Sequence, residues 1–527
     1  MAMTGDIEIM INSIKRIGHA ERPQPLTLVT EIFFAIFFVL TIRYQINLLT
    51  YIEWGDESET IVAAKMIAAG SSLYSEIFNH HGPLTFLPGV LLETLGDFGI
   101  PGHRISMAVL QLFSLGAIYF SPLLTNGDVS KLYTGVAASV MMLYLPQIYG
   151  HTYQYQVMAG LLLVIILAQY TLPAISCPER LAANHIILGN LLIGSLPFLA
   201  VTYLPISVLL FISSIRKQFI AKSFVYLSIG FWLNFLFLAY VGSIPGYFAF
   251  HIYLNSQILP LYNGGQSASQ LIIQAFSGAT SGLSEFIVLT VIAIAIAKLA
   301  SYEKMFPWRS MLVGVGIGSL LIRGSGGVTA DAAKQSVAGL YGLPYFYSVL
   351  AFPLVFFKNR PRLNYQSGLI ALALSIICFI KLSLFIPADK QNLISRQMPE
   401  TTEFAQLVEL LTSKQDRIIA YSFQNFQYIA ADRLPASGHF FYLPWQEKYN
   451  ENPIFGIKID ACKEIEANRP KIMLIDKWEV WDRFPWDSYA GCIQKIIDKD
   501  YYQIVDRPYY VRKDILPNTW IHNVVAR

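Results

Sequence analysis

The sequence predicts a polytopic α-helical membrane protein of about eleven transmembrane helices, followed by a soluble α/β domain at the C-terminus. Of its 527 residues, 54% are hydrophobic and only 14% are charged, whereas soluble domains carry about 25% charged residues. The charges are unevenly placed, because 37 of the 73 lie in the 141 residues after position 386. The net charge of +3 provides no concentrated basic face, which argues against a nucleic-acid partner.

Apolar runs that are long enough to cross a bilayer core of about 30 Å define the helical part of the chain. Pro197 and Pro205 favour a break within 183–215, where a single kinked helix is the alternative. The predicted spans are 28–50, 102–122, 132–149, 152–173, 183–200, 202–215, 223–243, 283–300, 310–324, 339–357 and 364–386.

The basic residues of the short loops predict the orientation of these helices, because positive charge accumulates in cytoplasmic loops. With a cytoplasmic N-terminus (1–27), every basic cluster falls on the cytoplasmic side. An odd number of helices in the transmembrane domain (28–386) then places the C-terminal domain (387–527) outside the cytoplasm, in the periplasm of a bacterium. The clusters are Lys15, Arg16 and Arg22; Lys131; Arg180; Arg216, Lys217 and Lys222; Lys304 and Arg309; and Lys358, Arg360 and Arg362.

Two loops on the outer side, 51–101 and 244–282, are too long to be simple turns, and long loops are often functional. The first loop carries Asp56 and Glu57 at the membrane–water boundary, before a short amphipathic helix at 60–70. A carboxylate at this boundary can act as a general base toward an acceptor hydroxyl or amine, and it can also hold a cation. A solvated acidic loop with no role is the alternative.

The cysteines and histidines show no metal-ligand spacing, and the chain contains no P-loop and no nucleotide-binding glycine fingerprint. No cofactor is therefore expected, and a strict metal requirement is not expected either. Cys462 and Cys492 both lie in the C-terminal domain, which the topology places in an oxidising compartment. A disulfide between them and two buried free thiols are the two alternatives.

Residues 51–122 resemble the first loop and second helix of the GT-C glycosyltransferases, polytopic enzymes that use polyprenyl-phosphate sugars. Protein O-mannosyltransferases and lipid A aminoarabinose transferases belong to this group. The resemblance consists of an acidic pair, an Ala-rich helix that ends in Gly, a Tyr and a Phe, a His- and Pro-containing element, and an Arg that opens the next helix. The matching residues are, in order, Asp56-Glu57, Ala63-Ala64, Ala68-Ala69-Gly70, Leu73-Tyr74, Phe78, His80-His81-Gly82-Pro83-Leu84 and Arg104.

This resemblance implies that Asp56 is the catalytic base, that Glu57 supports it, and that the segment around His80 approaches the donor phosphate. His80 and His81 are adjacent, so an extended or turn backbone is expected to send their rings in different directions. Arg104 either binds phosphate or pairs with Glu93 or Asp97. Further candidates for binding the donor phosphate or substrate lie around the junction of the ninth and tenth spans: Arg323, Lys334, Tyr341 and Tyr345.

The chain departs from the family pattern in two places. The Pro-Pro of the family is Gly82-Pro83 here, which predicts a looser backbone. Many relatives carry an acidic residue near the start of the fourth helix, where this chain has Gln154 and Gln156. A second catalytic or metal-binding carboxylate is therefore not expected.

The C-terminal domain shows alternating strand and helix patterns. Apolar runs at 417–422 and 471–476 predict buried strands, 454–468 and 489–499 predict helices, and 501–506 with 509–512 predict two final strands. The segments 434–441 and 470–476 resemble the periplasmic domains of bacterial GT-C proteins. The domain is expected to be a lid or an acceptor-binding scaffold, because it has no evident catalytic set.

Together these features predict an inverting glycosyltransferase that moves a sugar from a polyprenyl-phosphate donor to a glycan, lipid or protein acceptor on the outer face of the membrane. A flippase or other transporter of lipid-linked oligosaccharides is one alternative, although transporters tend to have internal repeats and ionisable residues at the bilayer midplane. A polysaccharide polymerase or ligase is the other alternative. Its large outer loop with arginines would lack the Asp-Glu opening.

Overall fold

The computed structural model describes residues 25–53, 55–262, 268–324, 342–358, 373–374, 376–377, 380, 398–422 and 425–515. The candidate residues Lys334 and Tyr341, the N-terminal segment 1–24 and most of the eleventh predicted span, 364–386, lie outside these ranges.

The described residues between 25 and 358 form a body made almost entirely of helices. Its α-helices are α1 (Pro25–Leu48), α2 (Gly55–Ala68), α3 (Leu87–Glu93), α4 (Gly99–Tyr119), α5 (Gly127–Tyr144), α6 (Tyr155–Ile166), α7 (Leu172–Ser176), α8 (Ala183–Ser195), α9 (Leu204–Ser214), α10 (Ile220–Val241), α11 (Ile244–Gly246), α12 (Leu259–Tyr262), α13 (Ala268–Ala279), α14 (Leu283–Ala300), α15 (Trp308–Gly324), α16 (Leu343–Ser348) and α17 (Leu354–Phe357). Two π-helical segments, Leu167–Thr171 and Tyr247–Ile258, adjoin α6 and α11.

The first nine predicted spans each correspond to a helix in this body. The stretch 183–215 is broken, as Pro197 and Pro205 predict, because Ala200 is extended (φ −158°, ψ 140°) between α8 and α9. The tenth span is two short helices, α16 and α17, instead of one. Among the described residues, three helices have the length and apolar composition needed to cross a membrane: Tyr155–Ser176, Lys217–Val241 and Leu283–Ala300. The first is surrounded by other helices, whereas the other two expose most of their side chains.

Residues 398–515 contain a four-stranded sheet with helices packed around it. The strands are β1 (Ile419–Tyr421), β2 (Ile472–Ile475), β3 (Tyr501–Gln503) and β4 (Tyr509–Arg512), in the order β1-β2-β4-β3. β1 and β2 are parallel, and β4 is antiparallel to both β2 and β3. The helices are α18 (Glu403–Leu411), α19 (Phe426–Ala430), α20 (Pro444–Glu451), α21 (Ala461–Asn468) and α22 (Gly491–Asp500).

The four predicted strands of this region are confirmed, and the helix predicted for 454–468 is shorter than expected. Phe455 and Gly456 have positive φ values of 54° and 70°, which interrupt a right-handed helix. The helix begins only after Asp460, whose carboxylate accepts a hydrogen bond from the Lys463 backbone N–H at 3.2 Å. Cys462 and Cys492 form a disulfide across a Cα–Cα distance of 6.2 Å, which decides between the two alternatives for these residues.

The C-terminal region does not form a separate core, because its buried side chains are continuous with those of the two long loops. One apolar cluster contains residues from α2, from the π-helical segment Tyr247–Ile258 and from the sheet. The Phe78 backbone N–H donates to the Gly438 carbonyl at 3.0 Å, and the Phe78 ring contacts His439 and Phe441. Lys65 of α2 contacts Asp97 at 2.7 Å and Asp432 of the C-terminal region at 4.0 Å.

Gly438 is the closest point of this contact and yields a test of it. A Cβ atom at position 438 would lie 1.9 Å from the Glu76 carbonyl oxygen, whereas one at Gly491 would meet nothing within 4 Å. We expect Gly438→Ala to destabilise the protein by about 1–3 kcal/mol, because the backbones must move apart. Gly491→Ala, within α22, should be neutral or slightly stabilising. Denaturant unfolding of the two purified variants measures the difference, and equal stabilities would contradict the proposed contact.

Candidate active site

The first long loop, 51–101, forms a compact unit around α2. Asp56 and Glu57 occupy the first turn of this helix, where the partial positive charge of the helix N-terminus favours carboxylates. The Ala-rich middle of α2 packs closely against α3, since a Cβ atom at Gly89 would lie 2.8 Å from the Ala64 Cβ atom. The small residues in the sequence pattern therefore bring the two helices of the loop into direct contact.

Glu57 and Arg104 form a buried ion pair at the centre of this unit. The Arg104 Nε and Nη2 atoms donate to the two carboxylate oxygens of Glu57 at 2.8 and 2.6 Å, and both side chains are almost completely inaccessible. The Nη1 atom also donates to backbone carbonyls at the end of α1, including those of Leu48 at 3.0 Å and Tyr51 at 2.5 Å. Arg104 therefore pairs with an acid of the first loop, but that acid is Glu57 and not Glu93 or Asp97.

The segment before α6 closes the other side of this ion pair. The backbone N–H of Tyr153 donates to the Glu57 Oε1 atom at 2.7 Å. The Tyr153 hydroxyl donates to the Thr85 carbonyl at 2.8 Å and accepts from the Gly89 N–H at 2.7 Å. The orientation of Glu57 thus depends on α4 and on the entry to α6, and its carboxylate has no access to solvent.

His80 and His81 lie in an irregular segment of the first loop, 79–82, with their rings side by side at a centroid distance of 4.4 Å. The expectation that adjacent histidines point in different directions is wrong, because Asn79 turns the backbone by accepting the His81 N–H at 2.8 Å. The Tyr74 hydroxyl donates to the His81 carbonyl at 2.5 Å. The His81 ring also packs against Tyr155 at 4.6 Å, next to the Tyr153 contact with Glu57.

Gly82 is tightly held, which corrects the expectation of a looser backbone. Its N–H donates to the Leu199 carbonyl at 3.0 Å. A Cβ atom at this position would lie 2.1 Å from the Phe198 carbonyl oxygen, so that only glycine permits this approach.

The second long loop contacts the same segment, residues 79–82. His251 and Asn255, in the π-helical segment Tyr247–Ile258, contact the His80 carbonyl through Nδ1 at 2.8 Å and Nδ2 at 3.0 Å. His251 Nε2 accepts the Val201 backbone N–H at 3.0 Å, which fixes the orientation of the ring. The prediction that the two long loops are functional stays a prediction, but the structure places them in direct contact.

Glu59, one turn after Asp56, is a buried carboxylate that sequence reasoning did not select. Its Oε1 atom accepts from Asn79 Nδ2 at 3.0 Å and lies 3.8 Å from His81 Nδ1. Burial raises the pKa of Glu59 well above its ordinary value, and the nearby Asp56 carboxylate raises it further. The spacing of three residues between Asp56 and Glu59 is the signal that could have found it, because it places both on one helix face.

Asp56 is only partly buried, in contrast to Glu57 and Glu59. Its backbone carbonyl accepts from the Thr60 hydroxyl at 2.8 Å, which fixes the first turn of α2. Asp56 thus lies near Glu59, which shares a cluster with His80 and His81.

The remaining candidates are less well placed by the structure. Arg323 lies in the last turn of α15, and its side chain is outside the described part of the structure, as are Lys334 and Tyr341. Tyr345 is buried in α16. Two residues further along, the Tyr347 hydroxyl donates to the Gly150 carbonyl at 2.6 Å, so that α16 packs on the segment leading to Tyr153.

Gln154 and Gln156 stand at the entry to α6, on either side of Tyr155, and both are fully buried. Within the described residues, none of their four side-chain amide atoms has a hydrogen-bond partner. Buried amides are normally satisfied, and each unsatisfied group costs about 1–3 kcal/mol. The chain thus keeps two buried neutral amides at the entry to α6.

No protein-family model matches the chain, and no curated protein matches it. Among solved structures, it is similar to ArnT from Cupriavidus metallidurans bound to undecaprenyl phosphate, with 11% identity, a TM-score of 0.49, and coverage of 77% of this chain and 84% of that one. It is also similar to an Archaeoglobus fulgidus oligosaccharyltransferase in complex with Zn and sulfate (12%, TM-score 0.48, 92% and 74%). A third similar structure is the oligosaccharyltransferase AglB from the same archaeon, in complex with an inhibitory peptide and a dolichol-phosphate (11%, TM-score 0.41, 92% and 75%).

The Glu57–Arg104 pair yields a test by double-mutant cycle. Breaking one side of a buried ion pair costs about 3–5 kcal/mol, because the remaining charge stays buried without compensation. We expect Glu57→Gln and Arg104→Gln each to destabilise by this order, and the double variant by clearly less than the sum. Denaturant unfolding of purified protein measures all three values.

The exposed pair between Lys131 and Glu31, at 2.9 Å, is the matched control. Its cycle of Lys131→Gln and Glu31→Gln should show a coupling of at most about 1 kcal/mol. Additive effects of the Glu57 and Arg104 substitutions would show that the two side chains do not depend on each other.

Proposed function

We propose that the protein is an integral-membrane glycosyltransferase that moves a sugar from a polyprenyl-phosphate donor to a glycan, lipid or protein acceptor. The single observation that carries the proposal is the contrast among the acids of α2. Glu57 and Glu59 are buried, and Glu57 is held by Arg104, whereas Asp56, in the first turn of the same helix, is partly accessible. This arrangement leaves Asp56 able to meet a substrate.

In the proposed reaction, the Asp56 carboxylate accepts the proton of an acceptor hydroxyl or amine as its oxygen or nitrogen attacks the anomeric carbon of the donor. The bond between that carbon and the phosphate oxygen breaks, and its electron pair leaves with the polyprenyl phosphate. The attack is in line with the leaving group, so the configuration at the anomeric carbon is inverted. The base keeps the proton until solvent removes it.

The leaving phosphate gains negative charge during this step and requires preorganised donors near its oxygens. Among the described residues, His80 and His81 suit this role. Asn79 and Tyr74 hold the backbone of His81 by hydrogen bonds. We assign Arg104 a positioning role, since its donors already bind Glu57 and backbone carbonyls. Arg323, Lys334, Tyr341 and Tyr345 remain candidates for the phosphate and the lipid.

The proposal predicts a large loss of transfer when Asp56 is neutralised. Asp56→Asn keeps the shape of the side chain but removes the proton acceptor, so transfer should fall by about 10²–10⁴-fold, the usual contribution of a general base. The assay follows sugar transfer in proteoliposomes with a polyprenyl-phosphate donor, at equal donor occupancy. Glu76→Gln, an exposed acid of the same loop, is the matched control and should retain full activity. Normal turnover by Asp56→Asn would remove this loop from the chemistry and favour the transporter alternative.

The proposal also requires that the site and the C-terminal region lie on the outer side of the membrane. A reporter that is active only outside the cytoplasm should be active when it is fused after residue 527. The same reporter inserted between α14 and α15, next to Lys304, should be inactive, because basic loops remain in the cytoplasm. The reverse pattern would place Asp56 on the wrong side for the proposed donor.

A further inference from the structure

We propose that Arg216 and Arg309 bind the phosphate of an anionic phospholipid, at the end of the helical body opposite to the candidate active site. The proposal does not rest on the proposed function, because it concerns lipid binding alone. Tyr155, at the start of α6, packs on the His81 ring of the active site, and the helical run of 22 residues that it begins ends at Ser176 in α7. At about 1.5 Å per residue this run is about 30 Å long, so the second site is remote from the first.

The packing of α9 against α15 brings the two arginines together. A Cβ atom at Gly316 of α15 would lie 3.4 Å from the Ile206 Cγ1 atom and 3.5 Å from the Leu209 Cβ atom of α9. Arg216 lies beyond this contact at the end of α9, and Arg309 lies before it in the first turn of α15. The positive charge of Arg309 is close enough to act on Arg216. Since like charges repel each other, an anion between the two groups would relieve the repulsion.

Each of the two guanidinium groups has a buried N–H donor that lacks a partner among the described residues. The Arg216 Nη2 atom donates to the Ala174 carbonyl in α7, but its Nε atom has no hydrogen-bond partner. The same is true of the Arg309 Nη1 atom. Buried polar groups are normally satisfied, and leaving a charged group unsatisfied is especially costly. Planar guanidinium groups with donors to spare suit a phosphate, whose oxygens accept several hydrogen bonds at once.

The nearby acids are already engaged or act on one arginine only. Glu303 is the acid whose charge acts on both guanidinium groups. Its oxygens accept from the Ser310 N–H at 2.9 Å, from the Ser310 hydroxyl at 2.6 Å and from the Arg309 N–H at 3.3 Å. Glu303 therefore caps the start of α15, and Glu179 acts on Arg216 but not on Arg309.

Further cations make the region around the end of α7 positive. Arg180 and Lys358 both lie near Cys177, directly after α7, and the Lys358 Nζ atom donates to the Ser176 carbonyl. Residues 332–388 contain no Asp or Glu, so this part of the chain adds no acid to balance them. A concentration of positive charge with buried donors attracts an anion.

The surroundings of the arginine pair favour a lipid over a soluble anion. Met305, Phe306 and Trp308, just before Arg309 in the chain, expose large apolar side chains, and so does Phe224 near the start of α10. Trp beside cations is typical of the membrane interface, and basic pockets between membrane helices bind anionic lipid head groups. The occupant is therefore assigned as an anionic phospholipid, with its phosphate between the arginines and its acyl chains on the apolar surface.

Lipid selectivity of the wild type tests the site without any variant. The full-length protein, purified in detergent and stripped of lipid, is mixed with equal amounts of phosphatidylglycerol and phosphatidylcholine, and the bound lipids are counted by native mass spectrometry. Phosphatidylglycerol should be retained about tenfold over phosphatidylcholine, because the choline ammonium offsets the phosphate charge. Equal retention of the two lipids would overturn the proposal.

Inorganic phosphate separates a lipid site from a site for soluble anions. A tenfold excess of inorganic phosphate over phosphatidylglycerol should leave the bound lipid in place, because inorganic phosphate gains nothing from the apolar surface. Displacement of the lipid under these conditions would assign the arginines to a soluble anion and overturn the assignment to a phospholipid.

Arg309→Gln is the variant that tests the arginine pair. Within the described residues the Arg309 side chain makes no hydrogen bond, so its loss should not disturb the helix ends, whereas Arg216 bonds to α7. The preference for phosphatidylglycerol should fall about tenfold or more, the value of a hydrogen bond to a charged group. Lys217→Gln is the matched control, because it removes the same charge from an exposed neighbour of Arg216. An unchanged preference in Arg309→Gln, or an equal loss in Lys217→Gln, would show that the pair is not a specific site.

Discussion

The buried ion pair between Glu57 and Arg104 is the interaction on which the site depends. It joins four parts of the chain, because Arg104 on α4 binds Glu57 on α2 and the carbonyls at the end of α1, while Glu57 accepts the N–H of Tyr153 before α6. A charge pair removed from water is tolerated only when its geometry and hydrogen bonds are complete, and here both carboxylate oxygens are bonded. The pair therefore holds the first turn of α2, which also carries Asp56, against α4.

The second constraint is the close approach of other backbone segments to residues 76–82, the part of the first loop that contains His80 and His81. Gly82 lies against the Phe198 carbonyl, and Gly438 lies against the Glu76 carbonyl, at distances that exclude any side chain. Through these contacts, residues 76–82 of the first loop touch both the segment that follows α8 and the C-terminal region. The C-terminal region packs on Phe78 of the first loop. We assign none of its described residues to the chemistry, so its proposed role is to support the loop.

The three acids of α2 lie in different environments. Glu57 is neutralised by a guanidinium, Glu59 is buried next to an imidazole, and Asp56 is partly accessible at the helix N-terminus. Burial and the nearby Asp56 carboxylate both raise the pKa of Glu59. We propose Asp56 as the base because it is the partly accessible acid of the three.

The sequence by itself determined the elements whose signals are local. Apolar length predicts the helices of the body, two prolines predict the break between α8 and α9, and short alternating patterns predict the four strands of the C-terminal sheet. It also singled out Asp56, Glu57, His80, His81 and Arg104, which the structure brings into one region. Only the tertiary structure decided that Arg104 pairs with Glu57, that the histidine rings lie side by side, and that Glu59 belongs to the site. The Arg104–Glu57 and Glu59–His81 contacts join residues that are far apart in the sequence, and no local periodicity records which polar groups such contacts remove from water.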